Sequence, residues 1–120
     1  MKILYVEDNP QNMRLVRKML GSGGYEMVEA LDGMTGLQMA EIEQPVLILL
    51  DINLPDIDGI EVTQRIKSNP SLAHIPIVAL TANAMFGDRE RFLDAGCDGY
   101  LAKPVSKTEL LNTLAYFLSR

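Results

Sequence analysis

Apolar and polar positions follow two rhythms along this chain. Short runs rich in branched and aromatic residues, KILYV (2–6), YEMVEAL (25–31), VLILL (46–50), PIVAL (76–80) and GYLA (99–102), read as strands. Between them apolar residues return at three- and four-residue spacing over about 10–20, 33–43, 59–67, 84–95 and 107–119, which predicts helices. The last is the clearest. Leu110, Leu111, Leu114, Phe117 and Leu118 fall on one stripe, and Ser106 with Glu109 makes a capping box.

Strands and helices that alternate through short connections predict a parallel sheet with helices on both faces. Three of the runs are apolar throughout, as strands buried on both faces are, whereas YEMVEAL interleaves Glu26 and Glu29 and suits an edge. The expected architecture is a flavodoxin-like, doubly wound (βα)5 fold with a five-stranded sheet in the order 2-1-3-4-5. One domain is expected over 1–120, with no output domain after the fifth helix.

Composition narrows the function. Sixteen acids against eleven Lys and Arg give a net charge of −5, and no basic cluster interrupts the acidity, so direct nucleic-acid binding is not expected. The start, MKILYVED, turns acidic too soon for a leader or anchor, and no apolar run approaches a membrane span. A single Cys97 excludes an internal disulfide and fits a buried thiol in a reducing cytoplasm. His74 has no spaced partner and reads as a surface residue. The seven methionines sit mostly at helical spacing and read as core filler.

Parallel strands bring their C-terminal ends to one edge of the sheet, where such folds build their sites. The first polar residues there are Glu7 and Asp8, then Asp51 in LILLDINLPDIDG, then Thr81 and Lys103. Three carboxylates carry −3 and the one lysine returns +1, so the cluster calls for a counter-ion. Oxygen donors with no nearby Cys or His suit a hard cation, and a partial cage suits Mg²⁺. A metal beside a carboxylate, a hydroxyl and a lysine can handle a phosphoryl group. Asp51, at the end of a central strand, is the best placed to form an acyl phosphate. Asp56 and Asp58 read as turn formers ahead of Gly59.

These motifs, in this order and at this spacing, resemble a response-regulator receiver domain over its full length. Glu7-Asp8 matches the acidic pair, DINLPDIDG the phosphoacceptor loop, ALTA the switch threonine, and YLAKP the aromatic, lysine and proline. The segment from HIPIVALTA to YLAKP is also similar to DivK-type single-domain regulators and to receivers within hybrid kinases. The resemblance implies that Asp51 accepts phosphate from a histidine kinase or phosphotransfer protein and that a downstream protein partner reads the result. It implies Mg²⁺ held by Asp8, Asp51 and the backbone carbonyl of Asn53, with Glu7 bonding the waters of the ion. Thr81 and Lys103 would bind phosphoryl oxygens, Tyr100 would be the rotating aromatic, small Ala82 would flank the site, and Lys103-Pro104 would be cis. The domain would catalyse its own phosphotransfer and slow dephosphorylation without being an enzyme on a separate substrate.

Three other readings compete. A phosphatase of the haloacid dehalogenase type also uses Asp, Mg²⁺, Thr and Lys, but it needs a second Asp where this chain has Asn53. A flavodoxin-like carrier wants a Gly/Ser/Thr-rich loop after the first strand, and EDNPQN would repel its phosphate. A pseudo-receiver that binds partners without phosphorylation has no need of the complete acidic site.

Overall fold

The computed structural model describes residues 1–81 and 88–119. Five parallel strands, β1 (Lys2–Val6), β2 (Glu26–Ala30), β3 (Leu47–Asp51), β4 (Ile77–Thr81) and β5 (Gly99–Ala102), form one sheet in the order β2-β1-β3-β4-β5. Five helices join and follow them: α1 (Pro10–Ser22), α2 (Gly33–Glu43), α3 (Gly59–Lys67), α4 (Asp88–Asp94) and α5 (Lys107–Leu118). The expected topology is the observed one. The start of the predicted 84–95 helix, and Ala82 with it, lies outside the described residues.

Helices α1, α2, α3 and α5 begin where the sequence supplies caps. Asn9 accepts from the backbone N–H of Gln11 at 2.8 Å and of Asn12 at 3.1 Å, with Pro10 next in a position that tolerates its missing donor. Asp32, Asp58 and Ser106 accept in the same way from Thr35, Glu61 and Glu109. The Glu109 side chain takes the Ser106 hydroxyl at 3.2 Å, in place of the reciprocal backbone bond of a full capping box.

Alternation along each strand divides the core into two layers. Ile3, Tyr5, Leu47, Leu49, Val78 and Leu80 pack with Met13, Val16, Leu20, Leu110 and Leu114 under α1 and α5. Leu4, Val6, Ile48, Leu50, Ile77 and Ala79 pack with Val62, Ile66 and Phe92 under α2, α3 and α4. Every residue of β3 and β4 is buried, whereas β2 and β5, at the edges, are partly exposed.

Several expectations sharpen. Cys97 is buried, its sulfur 3.4 Å from the Thr63 hydroxyl, and His74 is exposed. The methionines divide: Met13 is buried and Met19, Met27 and Met39 pack partly against the core, but Met1 and Met34 are exposed. Met34 meets solvent because the two sides of α2 differ in what they face, and Gly36 and Ala40 take its inner side. Among the described residues no helix is long and apolar enough to cross a membrane.

Candidate functional site

β1 and β3 pair in register, with Val6 opposite Leu50, so the next residues of the two segments, Glu7 after β1 and Asp51 at the end of β3, emerge side by side. The Glu7 N–H donates to the Ala30 carbonyl at 2.9 Å, which extends the ladder one residue past β1 and holds Glu7 in line. Asp51 is itself the last residue of its strand, opposite Leu80, one position later than the apolar run alone suggested. Glu7 and Asp51 are 1% and 4% exposed, a depth at which an unpaired carboxylate would be costly.

Lys103 resolves much of that cost. Its Nζ lies 2.6 Å from Glu7 Oε1 and 3.3 Å from Asp51 Oδ1, crossing to them from the end of β5. The Lys103 N–H donates to the Thr81 carbonyl at 2.7 Å, and the Lys103-Pro104 bond is cis, as expected. Glu7 receives more. The Tyr5 hydroxyl donates at 2.8 Å, the Asn9 N–H at 3.2 Å and the Asn12 side-chain amide at 3.4 Å. Burial by itself would raise the Glu7 pKa, but the bonds from Lys103 and Tyr5 hold it below its ordinary value. Asp51 goes the other way. Burial, and then the neighbouring Glu7, push it up to about 6 against the pull of Lys103 and of the Asn53 N–H, which donates to Oδ1 at 3.2 Å. Tyr5 is raised well above its ordinary range by burial and by Glu7, and stays a neutral donor.

Asp8 is exposed in the loop after β1, yet one carboxylate oxygen from each of Glu7, Asp8 and Asp51 falls within 4.8 Å of the others. The donor set is all oxygen and includes an open carboxylate, which fits a hard divalent cation. Glu7 is already engaged by Lys103, Tyr5, Asn9 and Asn12, so Asp8 and Asp51 are the better placed for direct ligation. Gly59 sets the floor. A Cβ there would meet the Ile52 Cα at 2.8 Å and the Asp51 carbonyl oxygen at 3.0 Å, so only glycine lets α3 start this close to the site.

Thr81 and Tyr100 approach from the other layer. Thr81 is in step with Ile77 and Ala79, and Tyr100 pairs with Ala79, so both belong to the face under α3 and α4. Thr81 is 1% exposed. With Asn53, Asp58, Arg91 and Phe92 it lines a polar recess of about 190 Å³. Tyr100 is half-buried and stacks on Phe92 with ring centroids 5.7 Å apart. The Asn53 side chain is exposed. Glu7, Asp8, Asp51 and Lys103 therefore meet as the sequence predicted, and Thr81 and Tyr100 flank them across the sheet edge.

Tyr5 and Asn12 were missed. Tyr5 could have been found, because it shares a strand face with Glu7 two residues on; Asn12 reaches Glu7 only through the path of α1. Asp58 caps α3, and Asp56 accepts from the N–H groups of Gly33 and Met34, so both are structural, though as partners of helix ends more than as turn formers.

Comparison with known proteins agrees with this geometry. Residues 3–115 match the response regulator receiver domain. The chain belongs to that family, a component of two-component signalling. The polar-differentiation response regulator DivK of Brucella anthropi is 41% identical over 116 residues, covering 97% of this chain and 94% of that protein. Among solved structures, the receiver domain of a Pseudomonas aeruginosa sensor histidine kinase, with a magnesium ion coordinated in its active-site cleft, is 41% identical, with a TM-score of 0.92 over 99% of this chain and 98% of that one. A chemotaxis response regulator of Vibrio cholerae is 28% identical, with a TM-score of 0.90 over 97% of each chain. Receiver domains interact in general with histidine kinases and with downstream partners.

Proposed function

We propose that this receiver is a phosphorylation-dependent switch in which Asp51 is the phosphoacceptor. The observation that carries the reading is a buried Asp51 carboxylate facing Lys103 Nζ at 3.3 Å, with Glu7 and Asp8 close enough to share a cation. One carboxylate oxygen attacks the phosphorus of a donor phosphohistidine. The bond from phosphorus to the imidazole nitrogen breaks, its electron pair leaves with the nitrogen, and an acyl phosphate remains on Asp51. The donor is a histidine kinase or a histidine phosphotransfer protein.

Mg²⁺, when bound, supplies neutralisation of the charge between carboxylates and phosphoryl oxygens. Asp8, Asp51 and the Asn53 carbonyl would hold it, with Glu7 bonding its waters. The ammonium of Lys103 and the hydroxyl of Thr81 then stabilise the new phosphoryl oxygens. Inward movement of Thr81 makes room for the Tyr100 ring to turn, which changes the surface of α4, β5 and α5 offered to a downstream partner. The protein works as an acceptor that catalyses its own phosphotransfer and slow dephosphorylation, in the cytoplasm where its donors reside.

With Mg²⁺ and acetyl phosphate the protein is expected to gain one acid-labile, hydroxylamine-sensitive phosphate, visible by intact mass. Asp51→Asn is expected to abolish it while circular dichroism stays that of the folded domain. Undiminished labelling of the variant would overturn the assignment.

A further inference from the structure

The loop between β3 and α3 carries Asn53, and its middle is tied to another part of the molecule. Asp56 Oδ1 accepts from the Gly33 N–H at 2.8 Å, and Oδ2 from the Met34 N–H at 2.9 Å. These are the first two backbone donors of α2, whose own cap, Asp32, takes only the third, Thr35, at 2.7 Å. Met34 is exposed, so water could satisfy its N–H, whereas Gly33 is buried and its N–H relies on Asp56. The contact is built for. A Cβ on Gly33 would stand 2.5 Å from Ile57 Cγ1 and 3.2 Å from Asp56 Oδ1, so a glycine is what allows the loop to seat on α2. Both bonds are charge-assisted, and the N–H groups of Met34 and Gly33 hold the Asp56 carboxyl below its ordinary range.

The ends of the loop are fixed in other ways. At one end the Asn53 N–H donates to Asp51 Oδ1; at the other Asp58 caps α3 and the Gly59 N–H donates to the Ile52 carbonyl at 2.9 Å. Asp56 supplies the tie between them. We propose that Asp56 is a positioning residue of the metal site: by pinning the loop to the start of α2 it sets where the Asn53 carbonyl lies relative to Asp51 and Asp8. This rests on the phosphoacceptor reading above, and it adds a residue that touches neither metal nor phosphate. It also makes the start of α2 responsive to what occupies the site.

The test uses the whole chain and Mg²⁺ itself. In wild type, Mg²⁺ is expected to shift the amide NMR signals of Gly33 and Met34; in Asp56→Ala that response is lost. The Mg²⁺ midpoint for acetyl phosphate labelling should rise about tenfold in Asp56→Ala, the low end of what loss of a supporting shell costs a metal site. The extent of labelling recovers at saturating Mg²⁺, which a merely unfolded fraction would not do. Asp56→Asn keeps one acceptor and should fall between the two; it carries the test alone should the alanine variant not fold. Wild-type midpoints in both variants, with Gly33 and Met34 still responding, would overturn the inference. Asp8→Asn separates the two ideas: an unchanged Mg²⁺ midpoint there would instead overturn the metal site on which the inference stands.

Discussion

β3 and β5 both end at the site, and they differ in almost everything else. β3 is paired on both sides, by β1 and β4, and all five of its residues are buried. Among the described residues β5 pairs only with β4, and its residues are half-buried or exposed. The central strand therefore presents Asp51 in a medium that alters its acidity, whereas the edge strand presents Tyr100 where one ring can meet both core and solvent. On the function proposed above, the phosphoacceptor gains from confinement, and the ring that reports to a partner gains from standing at the margin.

The largest test of this contrast is packing. Leu49→Ala in β3 removes a fully buried side chain and should cost about 3 kcal/mol, while Leu101→Ala in β5 should cost about 1 kcal/mol, because a partly exposed site loses less transfer energy and leaves less of a cavity. Urea denaturation of both variants measures the difference. Equal losses would mean that the edge is as constrained as the centre.

The next concerns Asp51 without metal. Its folded pKa of about 6 lies above its ordinary 3.8, so its ionisation opposes folding. That cost is absent below about pH 4, grows as pH rises through 6 and is complete by pH 7.5. In EDTA, Asp51→Asn should be more stable than wild type at pH 7.5 by on the order of 2 kcal/mol, and the gain should shrink as pH falls toward 4. A gain that is flat with pH would mean that titration of Asp51 is not its source.

The smallest effect is expected at the margin. Thr81→Ala should still accept phosphate, but beryllofluoride should then produce weaker NMR shift changes at Tyr100 and along α4 and α5 than in wild type. Wild-type changes across 88–118 would disconnect Thr81 from the edge.

Much of this was legible in the chain because parallel strands leave little choice. Once VLILL, PIVAL and GYLA are read as parallel strands, their first polar successors must share an edge, and Asp51, Thr81 and Lys103 do. Asp51 came out one residue deeper in its strand than the apolar run suggested, because pairing with Leu80 extends the ladder through it. The contacts that support the site were less visible. Asn12 arrives from α1 and Asp56 reaches across to Gly33 and Met34, and such contacts depend on how helices lie on the sheet, which local pattern does not encode. Met34 illustrates the same limit: helical spacing placed it in the core, but small Gly36 and Ala40 hold the inner side of α2.

The division of the core into two layers has a last consequence, best put as a matter of reading frame. Each strand carries two interleaved messages, one addressed to α1 and α5 and the other to α2, α3 and α4. Glu7, Asp51 and Lys103 are written in the first frame, Thr81 and Tyr100 in the second. Lengthening a loop at the far edge of the sheet leaves both frames intact. Deleting one residue within β3 while keeping its start paired would exchange them, turning Asp51 away from Lys103 and sending leucines to the wrong layers. The acidic rim is thus protected by the parity of its strands, and a change of loop length at the opposite edge disturbs it less than a change of length within the four- and five-residue strands between.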